Sequence, residues 1–292
     1  FRFVGRERGY HGMNIGATTV GGMINNVKTF ASILMPGVQH MRHTHLPEHK
    51  FVKGEPDTGV EMAEDLERIA MNFGGENIAA CIIEPIAGST GTLVPPKGYL
   101  KRIRDICNKH GILLIFDEVI TGWGRTGSAF AAQEWNVTPD IMTMAKATTN
   151  GVVPMGVVAV KEEIYDSVLD ASSAPEGTPE LFHGYTYSGI PVAVAAALAV
   201  QDIFDKEDLI NRAKEMSPYF QDGLHSLKDL KEIVSIRGYG MMGGIEINMK
   251  EKPGKAGYQV FKHCYDAGVN FKNTGDNLII APQFICEKKH ID

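Results

Sequence analysis

Three apolar segments of the sequence each end in a residue that can carry a charge. Glu84 follows "IAACII", Asp117 follows "ILLIF", and Lys146 follows "DIMTMA". Because an isolated charge is costly to bury, such residues pair with one another or with a charged ligand. The three side chains therefore predict either a structural ion-pair network or a site for a charged small molecule.

An amine near two carboxylates in a partly desolvated pocket has a specific chemical use. Burial disfavours the charged form of lysine, and a neutral amine can form a Schiff base with an aldehyde. Pyridoxal 5′-phosphate (PLP) carries such an aldehyde, and a fixed carboxylate keeps its pyridine nitrogen protonated. We therefore expect Lys146 to be the Schiff-base amine and Asp117 to be the partner of the pyridine nitrogen. Val119, two residues further on and on the same side, would press on the face of the ring.

The segments that carry these residues have the pattern of buried parallel strands. They do not alternate between apolar and polar residues, which is typical of strands covered on both faces of a sheet. An amphipathic helix after Pro95 and Pro96, closed by Gly111, separates two of them, and strand, helix, strand in this order is a parallel crossover unit. Because the carboxyl ends of parallel strands meet at one edge, we expect the three charged residues to border one crevice.

The rest of the pattern predicts an α/β fold with a second, smaller domain. A helix is expected over 60–73, a further strand over 156–160, and a helix buried on all sides over 191–200. After these elements the chain changes to longer amphipathic helices and short alternating strands. We expect a large PLP-binding domain with a mostly parallel sheet over residues 1–205, its N-terminal part missing, and a small, truncated α+β domain over residues 206–292.

Composition narrows the classes of function. The chain has 292 residues, 43% of them hydrophobic, and a formal net charge of −6 with acids and bases interspersed, so a nucleic-acid partner is not expected. Four scattered cysteines without a CxxC pair fit buried thiols in a reducing compartment, and we predict a cytoplasmic protein. The sequence has no apolar segment long enough to cross a bilayer, so a membrane partner is not expected either. Both ends read as parts of folded units, so we expect a fragment of a longer chain.

Four longer motifs resemble one known family. "IIEPIAGSTG", "GYLKRIRDICNKHGILLIFDEVITGWGRTG", "PDIMTMAKATTNGVVPMG" and "HGYTYSGIP" are similar to the class III (ω-amino acid) aminotransferases of the PLP fold-type I group, most of all to their ω-amino acid–pyruvate branch. The resemblance runs along essentially the whole chain in one order. It implies an enzyme that moves an amino group from an ω-amino acid or related amine, of the β-alanine or taurine class, to pyruvate and gives alanine.

The resemblance also implies which residues hold the cofactor. Lys146 would bind PLP and Asp117 would pair with its pyridine nitrogen. Tyr10 and His11 of "GYHG" would contact the cofactor, with Tyr10 stacked on the ring. Glu84 would be a second acid close to Asp117.

Further positions bear on the substrate and on a partner subunit. Trp123 would be either a wall of the substrate pocket or an anchor of its own loop. Thr186 of "HGYTYS" would reach the phosphate of the neighbouring subunit's cofactor, which makes the active site a property of a homodimer. The Ser/Gly loop with which the family cradles that phosphate would lie upstream of Phe1.

Three positions depart from the pattern of many class III enzymes. Ile120 stands where these often have glutamine, and Ser89 where they often have glutamate; both changes fit the ω-amino acid–pyruvate branch. Lys272 of "FKNTGD" stands where the family usually has an arginine for the substrate carboxylate. Because lysine offers a point charge and not a planar fork, a tetrahedral sulfonate becomes a plausible substrate group, and taurine a candidate donor.

Another enzyme class is suggested by the glycines of "GWGRTG". Gly122, Gly124 and Gly127 match the dinucleotide fingerprint GxGxxG, which would indicate an NAD-dependent oxidoreductase. Asp117 and Glu118 precede the glycines, and acids beside a pyrophosphate would repel it.

Two further alternatives concern metals and loss of catalysis. Four histidines crowd residues 40–49, but without cysteine or HExxH spacing they favour a histidine-rich loop over a metal site. The other alternative is a degenerate homologue kept as a binding or scaffolding subunit. The presence of both Lys146 and Asp117 argues against that alternative.

Overall fold

The strands of the computed structural model form two separate sheets, as expected for an α/β unit followed by a smaller α+β unit. The structure describes residues 1–172, 175, 181, 183–248 and 252–292. The first group of elements is β1 (Arg2–Arg6), α1 (Ile15–Val20), α2 (Ile24–Phe30), β2 (Val38–Met41), α3 (Glu64–Phe73), β3 (Ile78–Ile83), α4 (Tyr99–His110), β4 (Leu113–Asp117), α5 (Ala131–Glu134), β5 (Ile141–Met144), β6 (Val157–Val160) and α6 (Glu162–Ala171). The second group is α7 (Pro191–Lys206), α8 (Leu209–His225), β7 (Ile233–Tyr239), β8 (Met242–Ile247), α9 (Lys255–Asp266), β9 (Lys272–Thr274) and β10 (Asn277–Ile280).

The larger sheet has the strand order β2-β1-β3-β4-β5-β6. All neighbouring pairs are parallel except β5 and β6, which are antiparallel. The chain passes from β3 through α4 to β4, its parallel neighbour, so the predicted crossover unit is confirmed. The sheet is therefore mostly parallel, and the strands expected to carry the site, β3, β4 and β5, are adjacent in it.

Helix α4 shows how the local sequence fixes an element against this sheet. Leu100, Ile103 and Cys107 follow helical spacing and are buried in the main core. The helix ends at Gly111, whose φ of +68° suits glycine and whose N–H donates to the carbonyl of Cys107. The chain can then turn directly into β4. The helix predicted over 60–73 also exists, although its first turn, Val60–Ala63, is a 3₁₀ turn.

The prediction of a helix buried on all sides over 191–200 is wrong as far as burial is concerned. The helix is present as α7, but only its small residues Ala193 and Ala197 are buried. Val192 is 57% exposed and Leu198 is 64% exposed. The apolar sequence favours a core helix, whereas in the single chain the helix presents an apolar outer face. In β6, Val158 is likewise 64% exposed.

The smaller sheet is antiparallel, with the order β7-β8-β10-β9. Residues from α8, α9 and these strands form a second core, which includes Phe220 and Ile236. Arg125 donates to the carbonyls of Met241 and Pro282 at 2.8 and 2.7 Å and so ties the two units together. The domain boundary between residues 205 and 206 stays a prediction. Among the described residues, no helix is both long and apolar enough to cross a membrane.

Candidate active site

Three adjacent strands bring Glu84, Asp117 and Lys146 to one edge of the larger sheet. Glu84 directly follows β3, Asp117 is the last residue of β4, and Lys146 lies two residues beyond β5. The strands β3, β4 and β5 are parallel neighbours, so their carboxyl ends meet at this edge. The N–H of Glu118 donates to the carbonyl of Thr143 at 2.9 Å and holds the ends of β4 and β5 together. The arrangement agrees with the position expected for a ligand in an open α/β sheet.

Asp117 is buried, and both of its carboxylate oxygens have partners. Nδ1 of His11 lies 2.8 Å from Oδ2, and the N–H of Val119 donates to Oδ1 at 3.1 Å. Because an ionised carboxylate only accepts hydrogen bonds, His11 donates through Nδ1. Nε2 of His11 is buried and has no hydrogen-bond partner among the described residues. Val119 thus fixes the acid through its backbone, and the predicted contact of its side chain with a ring stays a prediction.

Glu84 holds the segment after β1 close to Asp117. Its Oε1 accepts the N–H of Tyr10 at 2.9 Å, and its Oε2 accepts the N–H of Gly88 at 3.1 Å. Burial raises the pKa of the Glu84 carboxyl; His11 and the Tyr10 N–H oppose this change, and the charge of Asp117 adds to it. Glu84 therefore positions the Tyr10–His11 segment beside Asp117. The contact of Tyr10 with a cofactor ring stays a prediction.

Lys146 begins the 3₁₀ turn Lys146–Thr148 with a φ of +47°. For a residue with a side chain this left-handed region costs about 1–3 kcal/mol and persists only where the surroundings fix it. Lys146 is exposed, yet desolvation by the surrounding protein is the largest effect on the amine and lowers the pKa of Lys146. The charges of Asp117 and Glu84 oppose this change, and Lys272 adds to it. A larger neutral fraction follows than an ordinary lysine would have.

The two site residues predicted beyond the sheet edge lie in different surroundings. Lys272 is the first residue of β9 and is exposed, and its charge lowers the pKa of Lys146. The smaller unit therefore places a cation close enough to Lys146 to act on its charge. Thr186 lies in an exposed turn that precedes α7, and its predicted role at a neighbouring subunit stays a prediction.

Trp123 is bonded to the turn that carries Lys146. The Nε1–H of Trp123 donates to Oγ1 of Thr148 at 3.1 Å. Its ring meets Phe130 edge-on with centroids 5.1 Å apart, and lies 6.4 Å from that of Phe204. These contacts are those of an anchored loop residue. Whether Trp123 also forms a wall of the substrate pocket stays a prediction.

Sequence reasoning missed the structural part played by Glu118 and by Thr148. Glu118 is fully buried, and its carboxylate accepts hydrogen bonds from Thr121 Oγ1 at 2.6 Å and from the N–H groups of Ala131 and Ala132 at 3.0 and 2.7 Å. It therefore holds the start of α5 and the loop after β4. The two acids at the end of β4 have separate tasks, because Asp117 faces the crevice and Glu118 fixes the loop. The sequence signal that could have indicated the structural part of Thr148 is its hydroxyl, which stands two residues after Lys146.

The glycine-rich segment does not have the geometry of a dinucleotide site. The N–H of Gly124 donates to the carbonyl of Ala129 at 3.2 Å, and that of Gly127 to the carbonyl of Gly124 at 3.0 Å, which closes the segment into turns. The next helix, α5, starts at Ala131 and has four residues. A dinucleotide fingerprint requires the glycines to open a helix whose N-terminus meets the pyrophosphate.

The histidines of residues 40–49 are engaged with neighbouring protein groups. Nε2 of His40 lies 2.8 Å from the carbonyl oxygen of Gly21, and Nε2 of His49 lies 3.2 Å from Thr58 Oγ1. Burial is the largest of the effects that lower the pKa of His45 to about 3, and the charge of Arg237 is the second. Within the part of the chain that the structure describes, no group of three or more histidine, cysteine, aspartate or glutamate side chains is placed to hold a metal ion.

Comparison with known proteins gives one consistent family. The model of the family described as aminotransferase class-III matches residues 2–292. An omega-aminotransferase of Caulobacter vibrioides is 50% identical over 293 residues, which cover 100% of this chain and 66% of that protein. An omega-amino acid–pyruvate aminotransferase of Pseudomonas putida is 43% identical over 297 residues, which cover 100% of this chain and 65% of that protein. The solved structure of the omega transaminase from Pseudomonas jessenii in complex with PMP gives a TM-score of 0.91 at 30% identity, and covers 99% of this chain and 65% of that one.

The extent of these matches confirms the resemblance that the four motifs predicted. The family model covers both sheets and every residue of the crevice described above. The chain spans about two thirds of the length of the curated relatives it matches. It belongs to the class-III aminotransferase family.

Proposed function

We propose that this protein is a PLP-dependent aminotransferase that moves an amino group from an ω-amino donor to pyruvate and so gives alanine. One observation carries the proposal: Lys146 and the buried acids Glu84 and Asp117 follow or end three adjacent parallel strands at one sheet edge, and desolvation there lowers the pKa of Lys146. In a lysine that forms a structural ion pair, the pKa changes in the opposite direction. The hydrogen bond with Asp140 raises the pKa of Lys161. Lys146 is therefore suited to work as a neutral amine.

The side chains at this edge fit PLP. Lys146 offers the amine that would hold the aldehyde, and Asp117 offers the buried carboxylate that would keep the pyridine nitrogen protonated. We assign contacts with the cofactor to Val119, Tyr10 and His11, all of which lie on segments bonded to Asp117 or Glu84. When bound, PLP supplies an electron sink that weakens a C–H bond of the donor.

The protein's own part is to orient the acid and to move one proton. The bonds from His11 and Val119 hold the plane of the Asp117 carboxylate. Nζ of Lys146 takes up the proton that leaves the donor carbon, because its lowered pKa leaves a larger neutral fraction near neutral pH. Glu84 keeps the Tyr10 segment beside this acid, and its raised pKa reflects how dry the site is.

We propose that Lys272 binds the acidic group of the donor. Its charge acts on Lys146, so a donor whose amine reaches Lys146 could bring an anionic group within reach of Lys272. Because the lysine ammonium is a point charge, it cannot form a bidentate pair with a carboxylate. A sulfonate can therefore pair with it equally well. We therefore propose β-alanine and taurine as the donor class. The printed name of the relative from Pseudomonas putida supports the ω-amino acid and pyruvate part of this proposal.

We propose that the protein is a homodimer and that Thr186 reaches the cofactor phosphate of the partner subunit. The exposed apolar residues Val158, Val192 and Leu198 support the proposal, because single soluble chains rarely leave such faces uncovered. Thr186 lies in an exposed turn just before α7. We also propose a cytoplasmic location, which the four free cysteines support.

A non-catalytic subunit of the same family is the second candidate. It would keep the fold and the surface of α7 and would turn over no amine. No observation favours it, because both Lys146 and Asp117 are present, and none favours an NAD-dependent oxidoreductase.

Alanine formation from pyruvate tests the proposed function. The protein, supplied with PLP and either β-alanine or taurine, is expected to form alanine, and Lys146→Ala is expected to form none while it stays folded. Lys101→Ala, which removes an exposed lysine of α4, is the matched control and should retain the wild-type rate. Alanine formation by Lys146→Ala at the wild-type rate would refute the assignment. A folded, PLP-loaded wild type that forms no alanine from any ω-amine would favour the non-catalytic subunit.

A further inference from the structure

The hydroxyl of Thr148 connects Trp123 to the turn that carries Lys146. It accepts the Nε1–H of Trp123 at 3.1 Å and donates to the carbonyl of Ala145 at 3.0 Å. The N–H of Thr148 donates to the same carbonyl, also at 3.0 Å. Thr148 is buried, so water does not compete for these bonds. The indole is therefore linked to the residue that directly precedes Lys146.

Both Trp123 and Lys146 are held in a strained backbone conformation. Their φ values are +59° and +47°, a region that residues with side chains rarely occupy unless the surroundings fix them. Within the turn, the N–H of Thr148 donates to the carbonyl of Ala145 at 3.0 Å, whereas the N–H of Thr149 lies at a longer distance, 3.4 Å, from the carbonyl of Lys146. The bond from Trp123 to Thr148 adds a support that comes from outside this turn.

Trp123 can give this support because its own position is fixed relative to Asp117. The N–H of Gly122 donates to the carbonyl of Glu118 at 2.9 Å, and Glu118 directly follows Asp117. The ring of Trp123 also packs edge-on against Phe130, with centroids 5.1 Å apart. A rigid path thus leads from the acid, through the loop, to the indole.

We propose that Trp123 is a positioning residue that sets, through Thr148, where the amine of Lys146 stands relative to Asp117. The inference rests on the proposed function, because it concerns the residue assigned there to hold PLP. The N–H of Trp123 is already donated to Thr148 and is not available to a donor molecule. Without this bond we expect the turn to shift and the amine of Lys146 to lose part of the desolvation that lowers its pKa.

Four conservative variants separate the bond from general packing. Trp123→Phe keeps an aromatic ring and removes the N–H, Thr148→Val keeps the shape and removes the hydroxyl, and Thr148→Ser keeps the hydroxyl. Trp135→Phe is the matched control, because the indole of Trp135 donates to Glu55 Oε1 at 2.7 Å and not to the Lys146 turn. Circular dichroism and thermal melting establish which variants are folded.

Competitive labelling with acetic anhydride, read by peptide mass spectrometry, gives the pH midpoint of Lys146 without any cofactor. The groups whose charges act on this amine are Asp117 at the end of β4, Glu84 after β3 and Lys272 on β9. None of them is changed in the variants. A changed midpoint therefore reports that the amine has moved relative to these charges or to solvent.

The expected result is a midpoint of Lys146 that rises toward that of an ordinary lysine. We expect a rise of about one pH unit in Trp123→Phe and in Thr148→Val, equivalent to a tenfold smaller neutral fraction. The double variant should rise no further than either single variant, because both remove the same bond. Thr148→Ser and Trp135→Phe should keep the wild-type midpoint.

Two results would overturn the inference: a wild-type midpoint in Trp123→Phe, or effects of Trp123→Phe and Thr148→Val that add in the double variant. Where Thr148→Val does not fold, the comparison of Trp123→Phe with Trp135→Phe decides. Labelling is independent of PLP, so failure of the wild type to bind PLP at Lys146 would refute the proposed function and leave this test standing.

Discussion

Nδ1 of His11 and Oδ2 of Asp117 lie 2.8 Å apart, and the N–H of Val119 donates to the other oxygen of the same carboxylate at 3.1 Å. These two bonds hold the carboxylate of Asp117, at the end of the apolar strand β4, in one plane. His11 is itself brought to this place by the segment that Glu84 binds through Tyr10. Two strands and a loop therefore determine the direction in which Asp117 faces.

Asp117→Asn should lower the rate of transamination much more than it weakens PLP binding. Asparagine keeps the shape but loses the charge that stabilises a protonated pyridine nitrogen, so we expect kcat to fall by about 10²-fold or more. Steady-state kinetics and a PLP titration followed by absorbance measure the two effects separately. Asp57→Asn, which alters an exposed acid paired with Lys97, is the control. A wild-type kcat in Asp117→Asn would remove the argument for the pyridine nitrogen.

Lys272→Arg should change the preferred donor. Arginine offers a planar fork for a carboxylate, so the ratio of kcat/KM for β-alanine to that for taurine should rise by about fivefold to tenfold. The ratio is measured with both donors under the same pyruvate concentration. Lys262→Arg, on helix α9, is the matched control. Equal ratios in the wild type and in Lys272→Arg would refute the assignment of Lys272.

Leu198→Glu should separate the proposed dimer. Leu198 is 64% exposed on the apolar face of α7, and a charge placed there could not be buried against a second copy without cost. Sedimentation equilibrium should give a dimer for the wild type and a monomer for Leu198→Glu. Met71→Glu on α3, where Met71 is 71% exposed, is the control and should remain a dimer. A dimer of unchanged stability in Leu198→Glu would show that α7 lies outside the interface.

Asp140→Asn should destabilise the larger sheet in a pH-dependent way. The carboxylate accepts bonds from Leu114 N–H, Arg104 and Lys161, each at 2.7 Å. Burial alone would raise the pKa of Asp140, but these bonds, led by that of Lys161, outweigh burial and hold it below its ordinary value of 3.8. A group with a lowered pKa in the folded state stabilises above its unfolded pKa and loses this contribution as the pH falls through its folded pKa.

Urea unfolding of the wild type and Asp140→Asn at two pH values measures this effect. We expect a loss of about 3 kcal/mol for Asp140→Asn at about pH 7 and a smaller difference at about pH 3, because the contribution begins to decline below the unfolded pKa. Asp105→Asn, in the exposed surface of α4, is the control and should change little at either pH. The same difference at both pH values would contradict the lowered pKa.

The sequence predicted the sheet edge well because the signals for it are local. Uninterrupted apolar runs identified the three strands, and the parallel crossover brought Glu84 and Asp117 to one edge. The bond between Trp123 and Thr148 could not be predicted, because it joins residues 25 positions apart through a loop of turns whose path no periodicity specifies.

Burial was harder to predict than secondary structure. The sequence of α7 is apolar enough for a core helix, and the helix exists, but only Ala193 and Ala197 are buried in the isolated chain. An apolar helix face indicates that another surface packs on it. It does not indicate whether that surface belongs to the same chain or to another chain. The same reasoning applies to Thr186, whose predicted contact is with a partner subunit.

The most direct measurement is reduction with borohydride of the protein incubated with PLP, followed by peptide mass spectrometry. The amine nitrogen replaces the aldehyde oxygen, which leaves as water, and borohydride supplies the hydride that makes the bond permanent. The predicted result is one pyridoxyl adduct on Lys146, and no adduct on that peptide in Lys146→Ala. An adduct on another lysine, or none on a folded protein saturated with PLP, would contradict the assignment of Lys146 as the residue that holds PLP.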